Sequence, residues 1–471
     1  MSSHYVGRSC DSPEGPKRAG LSKRIIIAVI GTHGDVQPFV ALAQTLQRRG
    51  YDPVICTTDD FEEFVRGHGI DFHSVGSDMQ AMLKQSQFDD GLKKKFLLYA
   101  PSLLRDGQKM LKEAGKRVWA AAQDASLLVF TSTTTFCIDM AEALGIPAVM
   151  TALQPLNPTD EFPYFQYEFD PVRPWMFRFN REPFAKVPSI DPMLNRLSYF
   201  VQRAHQTFYD LPRDRLRRTL FGLRAKKRGG FYTNSRGEPV TVLHAYSSAI
   251  SPAPGDWPAN NVITGFWRLE DQSSWQPSPA FQEFLAAGDA PIYLGFGSMP
   301  FGAQRNSEII AKAIKAWGGR AVIGKGWGGI REDLLPDTVF VVDRAPHALL
   351  FNHVKAVVHH GGAGTTHTGL IAGKPTFIVP QFFDQPYWGK LVYELGCGPA
   401  PVRIKKLTPQ ILAAALEDLA TTPSYQRSAE AVRDKLQLED GTNRAVDVIE
   451  ETLNEHSAYH RAHYEVLEAA S

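Results

Sequence analysis

Apolar positions along the chain fall into two alternating rhythms. "RIIIAVIG" (Arg24 to Gly31) is an unbroken β-branched run closed by glycine, which predicts a strand buried on both faces. Val36, Phe39, Val40, Ala43 and Leu46 then recur at helical spacing, and Gly50 stops the helix. "YDPVICTT" reads as the next strand, so the unit is βαβ and the sheet parallel. The alternation continues through a helix near Phe61 to Gly67, the strand "SLLVFTS", the helix "FCIDMAEALG" and the strand "IPAVMTAL". From about Pro155 to Gly230 it breaks. "FPYFQYEFDPVRPWMFRFN" is crowded with aromatics and prolines and reads as an irregular excursion, the kind of loop that often carries function.

A second series begins after the proline- and glycine-rich stretch "SSAISPAPGDWPANNVITGFW". Its predicted strands are "APIYLGFGS", "RAVIGKG", "TVFVVD", "KAVVHH" and "PTFIVP", with helices between them. The pattern predicts an α/β protein of two doubly wound Rossmann-like domains facing each other across a cleft. Its expected divisions are a disordered tail (1–22), an N-terminal domain (23–246), a linker (247–275), a C-terminal domain (276–450) and a last helix (451–471) returning towards the first domain. Open parallel sheets bind ligands at the carboxyl ends of their strands.

Composition narrows the classes. A chain of 471 residues, 43% hydrophobic and 21% charged, is globular and long enough for two cores. A net charge of +1 gives no reason to expect a nucleic-acid partner. The basic runs "RDRLRR" (Arg213 to Arg218) and "RAKKRGG" read first as a solvated helix face and loop, with peripheral contact to anionic lipid as the sharper alternative. Four scattered cysteines, no signal-peptide pattern and no apolar run near the ~20 residues of a membrane span predict a cytoplasmic protein.

The densest chemistry lies in "VHHGGAGTTHTGLIAGKP" (Val358 to Pro375). As a metal site it is weak, because adjacent His359 and His360 point to opposite sides of an extended chain and no further ligand sits at metal spacing. It can equally be a strand-to-helix turn without function, or an anion cradle. In the cradle reading Gly361, Gly362 and Gly364 let the backbone approach a ligand, and the amides near Thr365 and Thr366 open a helix with its positive dipole end exposed. "GFGS" (Gly295 to Ser298) offers a second small-residue turn. In "PQFFDQPYWG", Asp384 and Gln385 could grip sugar hydroxyls, and helix capping by Asp384 is an equal alternative.

The ordered set "GFGS … KGWGG … APHALL … HHGGAGTTHTGLIAGKP … PQFFDQPYWG" resembles the nucleotide-binding domain of GT-B nucleotide-sugar glycosyltransferases, closest to the sterol 3-beta-glucosyltransferase and antibiotic glycosyltransferase group. "GTHGDVQPFVALAQTLQRRGYDPVICT" and "TGFW" resemble the same group, and the likeness runs from about Arg24 to Glu450. It implies that His360, Gly362, Gly364 and Thr365 hold the donor diphosphate, with Gly297 and Ser298 on its other side. Asp384 and Gln385 would hold the hexose, Ala345 to His347 the base, and Trp327 would wall the nucleoside. Arg344 stands where plant-type members carry a tryptophan, and Thr368 where they carry a glutamate; UDP is therefore the first expectation for the nucleotide and dTDP the alternative.

No DxD pair is present, so no metal and no cofactor beyond the nucleotide sugar is expected; the helix dipole, His360 and hydroxyls would carry the leaving charge. Asp35 aligns with the histidine base of plant-type members, which makes Asp35 the expected general base and His33 the second choice; "TSTTTF" nearby offers only hydroxyls. An in-line displacement would invert the anomeric centre. Phe162, Phe165, Trp175 and Phe179 are the expected wall for a hydrophobic acceptor, a sterol or similar polycyclic, with flavonoids or polyketides as alternatives. Two other classes compete. An NAD-dependent oxidoreductase would need GxGxxG after the first strand, which "GTHGDV" lacks. A non-catalytic lipid-binding protein on the same fold would have no use for the donor residues.

Overall fold

The structure is a computed structural model that describes residues 22–76, 96–164, 192–224, 232–234, 237–270, 275–296, 303–325, 330–343 and 345–469. In the first domain the strands are β1 (Arg24–Ala28), β2 (Asp52–Thr57), β3 (Asp71–Ser74), β4 (Leu127–Phe130), β5 (Ala148–Ala152), β6 (Thr241–His244) and β7 (Asn261–Ile263). They form one sheet in the order β3-β2-β1-β4-β5-β6-β7, and every neighbouring pair is parallel. The second domain holds β8 (Ile292–Gly295), β9 (Ala321–Gly324), β10 (Val339–Val342), β11 (Ala356–His359) and β12 (Thr376–Ile378), in the order β10-β9-β8-β11-β12 and again parallel.

Strand periodicity sorts the cores. Ile26 and Ala28 of β1 face the helices Phe96–Ala121 and Phe136–Leu144. Their neighbours Ile25 and Ile27 face the opposite layer, where helix His33–Arg48 contributes Val36, Phe39, Val40 and Ala43. Ala445, Val446 and Ile449 from the end of the chain fill that same layer. They belong to helix Gly441–Ala469, which thus starts ten residues before the expected position. Arg49 pins it through ion pairs to Asp447 and Glu450.

Two expectations need correction. The stretch 247–275, read as connector throughout, contributes β7 to the first sheet, because Asn261, Val262 and Ile263 pair with β6. Its "TGFW" motif is an anchor: Trp267 is buried, donates from Nε1 to Thr264 Oγ1 at 2.9 Å and meets Phe39 edge-on. The stretch 155–230 is not irregular throughout, since it carries helices Pro192–Ser198 and Phe200–Thr219. On the second of these, "RDRLRR" is not merely a solvated face. Arg213 and Arg217, one helical turn apart, both turn inward onto buried Asp139, and Arg217 also reaches Glu142. Cys56, Cys137 and Cys397 are buried thiols.

Candidate active site

Each sheet reverses its strand order at one place, between β1 and β4 in the first domain and between β8 and β11 in the second. Strands that diverge at such a point leave a crevice beyond their carboxyl ends. The residues following all four strands meet at a single cleft of about 1750 Å³, which brings together Asp35, Thr133, Phe296 and His360.

On the first-domain side, helix His33–Arg48 opens with Thr32 as its N-cap. The backbone N–H of Thr32 donates to Asp35 Oδ2 at 2.6 Å, and the Thr32 hydroxyl donates to the same oxygen at 3.0 Å. Asp35 is therefore a carboxylate of the first turn reaching back to the cap, and the helix begins at His33 rather than near Val36. Burial raises the Asp35 pKa, and the two Thr32 hydrogen bonds pull against that rise. Its close seat needs Gly31, where any Cβ would overlap the carboxylate. His33 lies against Phe64, with ring centroids 4.6 Å apart, and burial in the cleft followed by the nearby His68 lowers its pKa. Two of the "TSTTTF" hydroxyls serve the backbone. Thr133 donates to Ile30 O and Thr134 to Ala28 O, tying the end of β4 to β1.

On the second-domain side, β11 ends at His359 and helix Ala363–Ile371 starts from Gly362. The two histidines part as their spacing predicts. His359 is fully buried, and its Nδ1 accepts from the Gly361 N–H. His360 lines the cleft, and burial pushes its pKa down to about 4 although the Gly295 backbone acts the other way. At neutral pH it is an uncharged imidazole that can donate a hydrogen bond. Its ring lies so close over Gly362 that a Cβ there would meet Nε2 at 2.7 Å.

Gly361 has φ of +91°, and a Cβ would come within 2.9 Å of the Gln385 carbonyl. Gly364 differs: a Cβ would meet nothing within 4 Å, so the absent side chain leaves room in the cleft itself. Thr365 lines the cleft beside it, while Thr366 and Thr368 turn their hydroxyls back to Gly362 O and Gly364 O. The helix start presents amides to the cleft with no carboxylate in its first turn.

Sequence reasoning missed what supports this half. Tyr293, on β8, hydrogen-bonds His347 Nε2 at 3.0 Å and fills the space where side chains at Gly295 and Gly324 would stand. His347 stacks on Phe351, and burial, then His360 and His33, push its pKa down to about 4. A small-large alternation around Tyr293 was the only available signal. His367, also missed, donates from Nδ1 to Ala363 O, accepts the Ser247 N–H at Nε2 and stacks on Phe266. It clips the connector to the helix whose start opens the cleft.

The "DQ" pair divides its labour differently from expectation. Asp384 occupies the N-cap position of helix Gln385–Glu394, but its side chain makes no cap hydrogen bond; its Oδ2 accepts from Trp388 Nε1 at 2.7 Å. Burial pushes its pKa up to about 6, opposed by the Trp388 hydrogen bond and assisted by the charge of Asp35 across the cleft. Gln385 is buried, and Oε1 accepts from the backbone N–H groups of Gln381 and Phe382. Two N–H donors on one atom identify it as the oxygen, so only the amide nitrogen remains for a ligand.

Phe162 does not line the cleft; its ring packs on Tyr387, 5.7 Å between centroids, where the two domains meet. Met110, Leu111, Leu156, Tyr164 and Tyr232 supply an apolar lining of the cleft in its place, with Gln202 hydrogen-bonded to Tyr232 among them. Phe165, Trp175, Phe179, Gly297, Ser298, Trp327 and Arg344 lie outside the described residues. Ala345 and His347 line the cleft as well.

Two solved glycosyltransferases share this architecture. The kitacinnamycin glycotransferase matches with a TM-score of 0.63 at 19% identity, over 92% of this chain and 99% of that one. The calicheamicin glycosyltransferase CalG4 matches with 0.60 at 21%, over the same shares. The fold is thus that of the two-domain GT-B glycosyltransferases. The pattern of the glycosyltransferase family 28 N-terminal domain matches residues 25–161, and that of the erythromycin biosynthesis protein CIII-like C-terminal domain matches residues 329–450. The sterol 3-beta-glucosyltransferases UGT80B1 and UGT80A2 of Arabidopsis thaliana are 32% and 33% identical over 90% of the chain, which spans 67% and 64% of their lengths. A sterol 3-beta-glucosyltransferase of Aspergillus fumigatus is 30% identical over 91% of the chain, which spans 30% of that protein. The chain belongs to the glycosyltransferase family that includes the sterol 3-beta-glucosyltransferases, and it is a glycosyltransferase.

Proposed function

We propose that the protein transfers glucose from UDP-glucose, with inversion, onto a hydroxyl of a hydrophobic polycyclic acceptor such as a sterol. One observation carries the reading: a base-capable carboxylate, Asp35, and the bare helix start at Gly362 open onto the same cleft. The diphosphate would rest on the amides of Gly364 and Thr365, with neutral His360 donating to it. These groups oppose the charge that grows on the leaving UDP, and they need no reorganisation to do so. Asp384 would accept hydroxyls of the hexose. Asp35, whose Oδ2 is held by Thr32, would take the acceptor proton as the oxygen attacks the anomeric carbon from the face opposite the diphosphate. The proton goes to the carboxylate, the C–O bond forms, and the bond to the diphosphate breaks with its electron pair leaving on UDP.

The sterol names of the plant and fungal relatives and the apolar lining of the cleft support the acceptor class. A dTDP-sugar is the second reading. The Thr368 hydroxyl is committed to Gly364 O where a carboxylate would otherwise serve a ribose, and VinC, a fold neighbour, has been solved in complex with dTDP. Incubation with UDP-glucose or dTDP-glucose and a panel of sterols, flavonoids and polyketides, read by mass spectrometry and by NMR at the anomeric proton, decides the matter. A β-glucoside of a sterol formed from UDP-glucose is expected; a retained anomer, or products only from dTDP-glucose, would overturn the corresponding part.

A further inference from the structure

We propose that Phe383 is the aromatic wall that seats the apolar face of the acceptor beside the transferring sugar, and is thereby a specificity-determining residue. The inference rests on the glycosyl-transfer reading above and deepens it.

Two unfavourable features coincide at this residue. Phe383 has φ of +54°, in the left-handed region where a residue with a Cβ is strained. The residue is also 58% exposed, whereas Phe351 and Phe377 of the same domain are buried. An exposed aromatic alone is ordinary on a surface, whereas a left-handed phenylalanine is not. Together, at the wall of the cleft and next to Asp384, they describe a side chain held out in water by a backbone that would relax with glycine.

The neighbouring loop enforces that state. Gln385 Oε1 gathers the N–H groups of Gln381 and Phe382, and Gln381 Nε2 donates to Phe296 O at the end of β8. The Phe382 ring meets Phe383 edge-on, with centroids 5.1 Å apart. Braced on both sides, the tip has little freedom to fold its ring away. Its position is chemical as well as steric. Phe383 and Asp384 line the same cleft as Asp35, from the other domain, so the loop stands across from the group proposed to activate the acceptor. A ring there meets the acceptor close to its reacting hydroxyl. It also covers the sugar from water, which would otherwise compete as the nucleophile. An apolar molecule that covers the ring removes the exposed surface and so gives the strained backbone a use.

The test compares the full-length protein with Phe383→Gly and Phe383→Trp. Melting temperature, UDP-glucose dissociation constant, acceptor KM and the ratio of transfer to donor hydrolysis are measured for each. In Phe383→Gly the melting temperature should rise as the left-handed residue relaxes, and UDP-glucose affinity should stay within experimental error. Acceptor KM should increase roughly 10- to 100-fold, as expected for losing the burial of one large apolar side chain, and hydrolysis should gain on transfer. Phe383→Trp should keep the wild-type acceptor KM and partition. An unchanged acceptor KM in Phe383→Gly overturns the proposal, as does a parallel loss of stability, donor binding and acceptor binding, which would mark a merely structural role. Wild-type protein that neither binds UDP-glucose nor transfers from it sinks both this inference and the reading beneath it. Wild-type transfer with an indifferent glycine variant sinks this one alone.

Discussion

Single residues set the chemistry here through burial. Asp384 titrates near pH 6 because the cleft withholds water from its charge and Asp35 adds repulsion. A carboxylate with a raised pKa is ionised, and able to accept sugar hydroxyls, only above that value. The advantage of UDP-glucose over UDP in binding should therefore be full at neutral pH and fade as pH falls through about 6. Replacing Asp35 by Asn removes the neighbouring charge and should move that midpoint to lower pH; titration calorimetry across the range reads both. The glycines make a second prediction. Gly361→Ala forces a Cβ onto the Gln385 carbonyl at a left-handed position and should destabilise the fold. Gly364→Ala meets nothing and sits in a helix, so it should fold with equal or slightly greater stability, by at most about 1 kcal/mol, yet bind UDP more weakly, because its methyl would enter the part of the cleft proposed for the diphosphate. Thermal melts with and without UDP separate the two. The histidine-glycine stretch was legible at this scale because its residue types carry the chemistry themselves. The roles of Gln385 and Asp384 were not, since a side chain's choice between loop backbone, a tryptophan N–H and a ligand depends on neighbours brought in by folding.

Elements place these residues. Strands with apolar runs and glycine ends were plain in the sequence, because burial on both faces leaves an unmistakable pattern; β1 and β11 are examples. Helix Phe200–Thr219 was hidden. Its mean composition is polar, it contains Pro212, and its inward face is lined by arginines as well as apolar residues such as Leu216. An apolar period is present in its first half (Val201, Ala204, Phe208, Leu211), but Pro212 and the run of arginines interrupt it, and the pairing with Asp139 exists only in three dimensions. That pairing is a strong constraint. Asp139 is 1% exposed and Arg217 4%, so Asp139→Ala removes the carboxylate shared by Arg213 and Arg217, leaves Arg217 with the carboxylate of Glu142, and should cost up to about 3–5 kcal/mol of stability. Urea denaturation measures the loss. Tyr232 and Gln202, which line the cleft, stand close to this helix bundle. The same variant should therefore raise acceptor KM more than it changes UDP affinity.

At the scale of the whole molecule, the cleft exists because two sheets present their switch points to each other and the chain crosses between them twice. The first crossing is held where His367 meets Ser247 and Phe266, the second where helix Gly441–Ala469 enters the first-domain core. At their junction Gly441 packs so tightly on the connector that a Cβ would meet Phe266 O at 2.6 Å. The two-domain plan was readable from the repeat of βα units. The second crossing could be suspected from a last helix with no strand after it, though its starting point could not. These crossings bring Asp35 and the helix start at Gly362 to one cleft, and the central claim is that they divide the work between proton removal and diphosphate binding. Asp35→Asn tests this most directly, with UDP affinity and transfer rate measured on the same preparation. UDP affinity should be unchanged while kcat falls about 10²- to 10⁴-fold, the scale of a lost general base. Undiminished kcat, or a loss of UDP affinity that matches the loss of rate, would contradict the claim.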